Sequence, residues 1–506
     1  MSKLLRGGRL SAVREDVAKF TSSMKDDVRL AKAVIDINKA HAVMLMEQKI
    51  IKQSDGAKLL QALVKCSSIK LDAFAEDIHM AVEEAVLKDA GEATGGNLHI
   101  AKSRNDQVAT AIRMELRKEL LSLMRAVTHV QDHLAEVAED HVNTVILEYT
   151  HLQPAQPVTF AHYLLSHFAA LERDLQRLQS VYTRVNLCPL GAGALATTSF
   201  AINRDRTAEL LGFNGLAENS IDAVSSRDFI TETIAVLTLI AVNLSRFTED
   251  LILWSSPDFG VVELPDNFTS TSSIMPQKKN PEVLEVIRAR ANHVLGDFVA
   301  SVATVKSLPS TYSLDFQEIT PKLWKSIQNV GASLDIFHKL LPKLKVTSDV
   351  SGKANASFVA ATELANVLVR KYDVPFRTAH KVVGALVKLL IETKLTFADA
   401  TPELLLKAAK DVAGIKLAVT AEDLEALADP LALVEACKVK GGPAPAEVKK
   451  ALDTRKKKLF STKSNILQID KKLEEAENKL EKAVKSCFSV GSCENATLKS
   501  SNLEDV

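Results

Sequence analysis

The chain contains neither glycine nor proline between Gly96 and Pro154. These two residues most often interrupt helices, so the interval can hold one long element. From about residue 106 to about residue 143, apolar side chains recur every three or four positions, which is typical of an amphipathic helix. They are Val108, Ile112, Leu116, Leu120, Leu123, Val127, Val130, Leu134 and Val137. A helical period longer than about 25 residues favours a bundle or a coiled coil over a compact α/β domain.

Three further helical stretches predict the rest of the fold. Residues 216–256 also lack glycine and proline, and helical periods run over about 160–184 and from Pro281 to about Lys306. Strand-like runs are short and few, and the sequence has no βαβ alternation and no glycine-rich nucleotide loop. The sequence therefore predicts a mainly α protein with a central bundle of long helices.

Breaks in the helical pattern predict the domain boundaries. GEATGG and PKLKVTSDVSG, at 91–96 and 342–352, are the main interruptions. We expect an N-terminal helical domain, a central bundle with a loop at 269–281, a small C-terminal helical domain and a charged extension, over 1–104, 105–350, 351–450 and 451–506.

The charged extension repeats apolar residues at helical spacing over less than three heptads, so a solvated amphipathic helix and a coiled coil both remain open. These residues are Ile466, Ile469, Leu473, Ala476, Leu480 and Ala483. The last 20 residues are expected to be disordered.

Composition excludes some classes of partner. The chain has 63 basic and 63 acidic residues, which argues against a general binder of nucleic acid or anionic membranes but allows a local basic pocket for an acidic metabolite. The longest apolar run, about 234–244, is too short to span a bilayer. The N-terminus has no hydrophobic signal core, and the five cysteines are scattered, so we expect free thiols and a cytoplasmic location. Cys487 and Cys493 are close enough in sequence for a pairing to stay open.

The stretch TSSIMPQKKNP, residues 271–281, places small, polar and basic groups between two prolines, which predicts an exposed loop. Ser272 or Ser273 could act as a base, and Lys278 and Asn280 could bind a carboxylate near the start of the next helix. The alternative is a surface loop that ends in an N-capping asparagine.

Two other polar stretches, SRNDQ at 103–107 and THLQPAQP at 150–157, flank the long helix. His151 is either a proton shuttle or a structural histidine. Arg104 and Asn105 either bind a carboxylate or belong to a helix cap, and Arg227 is either a second carboxylate ligand or a helix-start charge.

The helix between these stretches would be roughly 55–60 Å long, so they are expected at opposite ends of it. If they form one pocket, different copies of the chain must supply them. The sequence therefore predicts a homo-oligomer with composite sites. His129 and His133 share a helical face and could bind a metal, but no third ligand is evident at a supporting spacing, so no metal site is predicted.

Several motifs together resemble one family. TSSIMPQKKNP resembles the signature of the fumarase/aspartase superfamily, and its Gln-Lys-Lys-Asn-Pro form looks like the argininosuccinate lyase and delta-crystallin branch. NLHIAKSRNDQVAT, YTHLQPAQP, LPSTYSLDFQE, EDIHMAVE and FTSSMKDD are similar to the same branch. The resemblance covers roughly residues 5 to 450.

The resemblance implies a helical homotetramer with active sites built from three subunits. The implied reaction is a β-elimination of argininosuccinate to arginine and fumarate, a step of arginine biosynthesis or the urea cycle, without cofactor or metal. The alternatives are another fumarate-releasing lyase of the adenylosuccinate lyase or fumarase type, and a weakened crystallin-like protein. The residues Gln277, Lys278 and Lys279 favour argininosuccinate, because the other enzymes usually vary the positions after Met-Pro.

The resemblance also implies residue roles. Ser272 would be the base on a mobile loop, Lys278 and Asn280 would hold the developing aci-carboxylate, and His151, paired with Glu285, would serve or support the acid. The opposite assignment of Ser272 and His151 stays open. The implied substrate-binding residues are Ser23, Asp27, Arg104, Asn105, Thr150, Arg227, Tyr312 and Gln317.

Three departures from the family pattern stand out. Thr271 replaces the usual glycine, and a β-branched residue resists positive φ, so loop closure is expected to be stiffer. Thr320 stands where a lysine is expected, with Lys322 displaced nearby. About 50 residues beyond Leu459 are expected to extend past the usual end of the family.

Overall fold

The computed structural model describes residues 14–66, 75–347 and 350–500, and it confirms the predicted mainly α fold. The N-terminal helices pack around α3, in which all residues from Ala33 to Met46 are buried. The bounds are α1 Glu15–Thr21, α2 Met24–Asp27, α3 Ala31–Glu47, α4 Gln53–Cys66, α5 Ile78–Ala90 and α6 Glu92–Gly95.

The predicted long helix is α7, Arg104–Asp140, and its 37 residues span about 55 Å. The Ser103 side chain accepts a hydrogen bond at its start, while the Asp106 carboxylate accepts one from the Ser103 backbone N–H. This capping box stabilises the first turn. Because Ser103 and Asp106 cap the helix, the side chains of Arg104 and Asn105 are available for other contacts.

Five long helices form the bundle. Helix α7 contacts α8 and α13, and α11 contacts α8, α12 and α13. The bounds of the central helices are α8 Phe160–Val185, α9 Arg204–Leu210, α10 Ser220–Ser225, α11 Asp228–Trp254, α12 Glu282–Val305 and α13 Thr320–Leu340. The predicted helical stretches at 160–184 and after Pro281 are therefore confirmed.

Among the described residues, strands occur only as short antiparallel pairs. The hairpin of β1 and β2 follows α7, and the pair of β4 and β5 closes the loop at 269–281. The bounds are β1 Val145–Thr150, β2 Gln153–Thr159, β3 Val262–Glu263, β4 Ser270–Thr271, β5 Lys279–Asn280 and β6 Lys345–Val346, with β3 paired to β6.

The small C-terminal helices have a hydrophobic core of their own, to which β1 contributes Leu147. Their bounds are α14 Ser351–Ala356, α15 Ala361–Tyr372, α16 Phe376–Glu392, α17 Pro402–Ala413, α18 Ala421–Ala428 and α19 Pro430–Ala436. The N-terminal helices instead share one continuous core with the bundle. The domain boundaries placed at 104 and 350 stay predictions.

The charged extension belongs to one long helix, α20, Pro445–Ser500, which packs on α3, α4 and α7 of the same chain. Its buried side chains include Ile466, Leu480 and Val484, so it is an amphipathic helix seated on the bundle. The backbone is helical to Ser500, where disorder was expected from about residue 487. Residues 501–506 and the Cys493 side chain lie outside the described part of the chain, and Cys487 is a free thiol.

Helix α11 is long and apolar enough, by length and composition alone, to cross a membrane. However, 56% of its most apolar window is buried inside the bundle. Burial of this kind is also found in a core helix of a soluble protein, so this helix is weak evidence for a membrane span.

Candidate active site

Seven of the eight predicted substrate-binding residues line one cavity of about 360 Å³. The cavity lies at the end of the bundle where α7 and α11 begin. Its walls come from five distant segments of the chain, and the seven residues are Ser23, Asp27, Arg104, Asn105, Arg227, Tyr312 and Gln317. The eighth, Thr150, is not among the lining residues.

Two neighbouring carboxylates orient Arg104. Its Nε lies 3.1 Å from Oδ2 of Asp77, and a terminal nitrogen lies 3.6 Å from Oε2 of Glu83. The other terminal nitrogen donates to the amide oxygen of Gln107 at 3.2 Å. Asn105 donates its amide N–H to the Ala194 carbonyl at 3.1 Å. Arg104 is therefore held toward the cavity by carboxylates rather than used as a helix cap.

Arg227 is a buried cation with unused donors. Its side chain is 3% exposed, and one terminal nitrogen donates to the carbonyls of Val224 and Ser226 at 3.1 and 2.8 Å. Its Nε and its second terminal nitrogen have no partner among the described residues. Burial lowers the pKa of Arg227 to about 10, so it stays cationic at neutral pH. Two free N–H groups on a buried cation favour binding of a carboxylate.

Asp27 provides a buried anion on another wall of the cavity. Ser23 donates its hydroxyl hydrogen to this carboxylate. Burial, acting against the Ser23 hydrogen bond, raises the pKa of Asp27 to about 6. Gln317 is fixed by a 2.9 Å bond from its amide N–H to the Thr21 carbonyl. Asp27 is consequently ionised at neutral pH and can bind a cationic group.

Tyr312 follows a strained residue and packs against an aromatic ring. Thr311 has φ of +80°, a conformation that costs a β-branched residue about 1–3 kcal/mol. The rings of Tyr312 and Phe316 lie 6.0 Å apart, and burial raises the pKa of Tyr312. Thr320 also lines the cavity, whereas Lys322 does not, so no lysine occupies the expected position.

His151 and Leu152 form the two-residue turn between β1 and β2. Both adopt positive φ, +55° and +59°, which is the geometry of a type I′ hairpin turn. Such turns favour asparagine and glycine, so the strain at His151 points to a functional constraint. His151 is exposed, and within the described chain its ring makes no hydrogen bond or ion pair.

Residues 271–280 form an exposed turn between β4 and β5. The Ser272 oxygen accepts hydrogen bonds from the backbone N–H groups of Ile274 and Met275 at 3.4 and 3.2 Å. Two donors pointing at one hydroxyl oxygen favour its ionised form. Thr271 is paired with Lys279 in the strand ladder and is not among the residues with positive φ. Threonine therefore causes no backbone strain in this conformation.

The two lysines of this turn have different surroundings. Lys279 pairs with Glu263 at 3.2 Å and with Asp266 at 2.7 Å, so it anchors the turn. The ammonium of Lys278 is exposed and has no hydrogen-bond or ion-pair partner in the described chain. Lys278 is therefore free to bind an anion.

The N-capping role considered for Asn280 is wrong. Asn280 lies in β5, and Pro281 precedes the first residue of α12 without a side-chain cap. Glu285 is exposed in the first turn of α12, and no ion pair joins it to His151 within the chain. The free first-turn N–H groups of α12 leave room for an anion beside Asn280.

Within one chain these groups form two separate sets. The cavity lies where α11 begins, and the 271–280 turn follows its other end, after 27 residues or about 40 Å of helix. In the same way, the cavity residue Arg104 begins α7, and His151 follows its distant end. The structure thus brings together seven of the eight residues implied to bind substrate and separates them from the 271–280 turn and His151.

The sequence prediction missed several polar residues of the cavity. Asp26, Glu76, Asp77, His99 and Glu318 also line it. His79 lies behind it, 3% exposed, with both ring nitrogens unpartnered, and burial lowers its pKa well below the usual value. The motifs EDIHMAVE and NLHIAKSRNDQ contain four of these residues, Glu76, Asp77, His79 and His99, and they were the signal available in the sequence.

Comparisons with known proteins agree over most of the chain. Residues 8–296 match the Lyase family, and residues 358–435 match the argininosuccinate lyase C-terminal family. The chain is 42% identical to the argininosuccinate lyase of Methanococcus maripaludis, over 95% of this chain and 100% of the relative. It is 43% identical to that of Methanocaldococcus jannaschii, over 93% and 97%.

Solved structures show the same fold. The chain matches EDDS lyase in complex with formate with a TM-score of 0.87 at 31% identity, over 92% of this chain and 93% of the other. A class II fumarase from Schistosoma mansoni matches with a TM-score of 0.68 at 16% identity, over 82% and 91%, and supports the fold alone.

The coverage by the first of these relatives also corrects the expected chain length. An alignment over 95% of this chain leaves out only about 25 residues, so it must extend well past Leu459. For this relative, the expectation that the chain runs about 50 residues past the usual end is wrong. Much of α20 is therefore shared with a known lyase.

Proposed function

The chain belongs to the argininosuccinate lyase family, a group of carbon–nitrogen lyases that split argininosuccinate into arginine and fumarate, and from this membership we propose that other copies of the chain complete its active site. The observation that carries the proposal is the separation of two polar sets by about 40 Å of helix. One set surrounds the cavity, and the other lies on two exposed turns. The set around the cavity lacks the residues proposed as acid and base, and the set on the two turns lacks a substrate cavity.

The cavity suits the arginine part of the substrate. This part carries an ammonium and a guanidinium, both cationic, and a single carboxylate. Asp26 and Asp27 line the cavity and would bind cations, while the two unpaired nitrogens of Arg227 would bind the carboxylate. A second carboxylate placed here would meet repulsion from these acidic groups.

The turn at 271–280 suits the succinate part. Ser272 removes the proton from the carbon beside a carboxylate, and the resulting negative charge spreads onto that carboxylate. Lys278 and Asn280 stabilise this charge, which is usually the largest single contribution to such catalysis. The carbon–nitrogen bond then breaks as the double bond of fumarate forms, and the leaving guanidino nitrogen accepts a proton from His151 or from a water that His151 orients. Closure of the turn excludes solvent.

Exposed apolar side chains supply a surface for assembly. On α11 and α12, which pack against each other, the exposed apolar side chains include Leu239, Val242, Val286, Leu295, Val299 and Val302. Large exposed apolar surface is typical of an interface between proteins. Antiparallel packing of several bundles through these two helices would place the turn of one copy over the cavity of another. We propose a homotetramer in the cytoplasm, with His151 and Glu285 meeting between subunits.

Mixing two inactive variants tests the shared site. Arg227→Ala removes a cavity contact and Ser272→Ala removes the base, so each protein alone should have almost no lyase activity. After joint unfolding and refolding in equal amounts, about a quarter of the sites should combine an intact cavity with an intact turn. The readout is fumarate absorbance with argininosuccinate, with adenylosuccinate and malate as substrate controls. Mixtures no more active than their parents would exclude sites shared between copies.

A further inference from the structure

Three histidines meet where α7 packs against α13, outside the cavity. His129 and His133 lie one turn apart on α7, and His338 lies near the end of α13. The His338 ring centroid lies 5.7 Å from that of His129 and 5.2 Å from that of His133. Nδ1 of His338 lies 3.3 Å from Nδ1 of His133. From the sequence, only the pair His129 and His133 could be recognised, because His338 lies about 200 positions further along the chain.

The spacing of these two nitrogens fits a shared ion. Imidazole nitrogens lie about 2.0–2.1 Å from a bound zinc ion, which places two ligands of a tetrahedral site about 3.3 Å apart.

Carboxylates lie at the far nitrogen of each ring. Nε2 of His338 lies 3.4 Å from Oδ1 of Asp335, and Nε2 of His133 lies 3.9 Å from Oε2 of Glu136. Lys339 holds the other oxygen of Asp335 at 2.7 Å. The carboxylate of Asp335 favours the His338 tautomer that carries its hydrogen on Nε2, and this tautomer leaves the Nδ1 lone pair of His338 free. That lone pair can bind a metal ion together with Nδ1 of His133, or accept a hydrogen from it.

The cluster is reachable from solvent. A groove of about 850 Å³ runs between α7 and α13, and His129 and Asp335 line it. The side chains of His133 and His338 are 28% and 16% exposed.

We propose that His133 and His338 form a two-histidine site for a divalent late first-row metal ion, such as Zn²⁺, that ties α7 to α13. Imidazole ligands favour zinc, copper and nickel over magnesium or calcium. Among the described residues, no three histidine, cysteine or acidic side chains are arranged to hold one ion, so water fills the remaining positions. The site is separate from the elimination chemistry.

Calorimetric titration with ZnCl₂ tests the site, using untagged full-length protein freed of metal by a chelator. We expect one ion per chain and an affinity at least tenfold weaker in His133→Ala and in His338→Ala. Asp335→Asn should weaken binding about tenfold, because it loosens the His338 ring. His380→Ala, which removes an exposed histidine of α16, should bind as the parent does. Equal affinity in all variants, or no binding by the parent, would overturn the proposal.

A spectroscopic measurement separates an ion from a shared proton. Cobalt(II) added to the parent protein should give visible absorption of a four-coordinate nitrogen-ligated site, and His133→Ala should abolish it. The melting temperature should rise with Zn²⁺ in the parent and in His380→Ala but not in His133→Ala or His338→Ala. Unchanged spectra and melting would mean that the rings share only a proton. Circular dichroism and lyase activity of each variant establish that it folds.

Discussion

The C-terminal helix α20 and the 271–280 turn are both rich in charge, but they use it differently. On α20, Lys463 pairs with Asp132 at 2.8 Å, and Asp470 pairs with Arg125 at 2.5 Å, so the charges meet partners on α7. On the turn, the Lys278 ammonium has no partner in the described chain. The first arrangement joins two parts of one fold.

The unpaired charge on the 271–280 turn remains available to bind a ligand or another chain. The same holds for Arg227, whose buried donors remain unpaired. Unpaired buried donors cost free energy, so a fold retains them where a ligand or another subunit will pair them. We expect this contrast between paired and unpaired charge to distinguish structural from functional residues, and four measurements test it.

The largest effect is expected at the base. Ser272→Ala should lower kcat about 1000-fold, because proton removal then has no positioned base, while the melting temperature stays unchanged since the side chain is partly exposed. Fumarate absorbance and thermal denaturation measure the two quantities. Ser273→Ala is the matched control and should keep nearly the full rate. An equal loss in both variants would move the role away from Ser272.

The lysine pair tests the contrast directly. Lys278→Ala should lower kcat/KM about 100-fold, because it removes a charge that stabilises the intermediate. Lys279→Ala breaks two ion pairs that hold the turn and should lower kcat/KM only a few-fold. Steady-state kinetics on both variants decide the point. If Lys279→Ala were the more damaging change, free charge would be a poor guide to function here.

The third prediction concerns pH. The folded pKa of Asp27 is about 6, above the ordinary 3.8, so its contribution to stability is full below about pH 3.8 and is lost as pH rises through 6. Asp27→Asn should therefore stabilise the substrate-free protein at pH 7 by about 3 kcal/mol.

Substrate binding should respond in the opposite direction. Only the ionised carboxylate binds an ammonium, so KM of the parent should rise as pH falls below 6, and Asp27→Asn should raise KM at least tenfold at pH 7. Denaturant melts and KM profiles between pH 5 and 8 check both parts. A variant with lower stability and an unchanged KM would contradict them.

The smallest effect is expected on α20. Lys463→Gln removes one partly exposed ion pair and should destabilise the protein by about 0.5 kcal/mol without changing kcat. Lys457→Gln, which removes an exposed lysine without a partner among the described residues, should have no effect. Salt should reduce the difference between the two variants in a denaturant melt. A change in kcat would show that α20 acts on the site.

The sequence predicted the long helices well, because α7 and α12 carry apolar residues at regular helical spacing, and the buried ones among them pack against neighbouring helices. It did not predict the type I′ turn at His151, because neither His151 nor Leu152 favours positive φ. Nor did it predict the helical backbone over residues 487–500, since polar composition alone suggested disorder.

The sequence predicted which residues belong to the candidate site, but it did not predict how they are arranged in space. Motif resemblance placed Ser23, Arg104, Arg227 and Gln317 in one site although up to 294 positions separate them. Spacing along the chain could show neither the free donors of Arg227 nor that Asp77 holds Arg104, since both depend on tertiary contacts. The separation of the two sets did follow from sequence, because helix length is fixed by residue count.

In the proposed shared site, a single protomer would be inactive on its own. Its cavity could hold the arginine part of the substrate, but the length of α7 places His151 some 55 Å from that cavity. Turnover would then depend on protein concentration and would vanish on dilution before any helix melts.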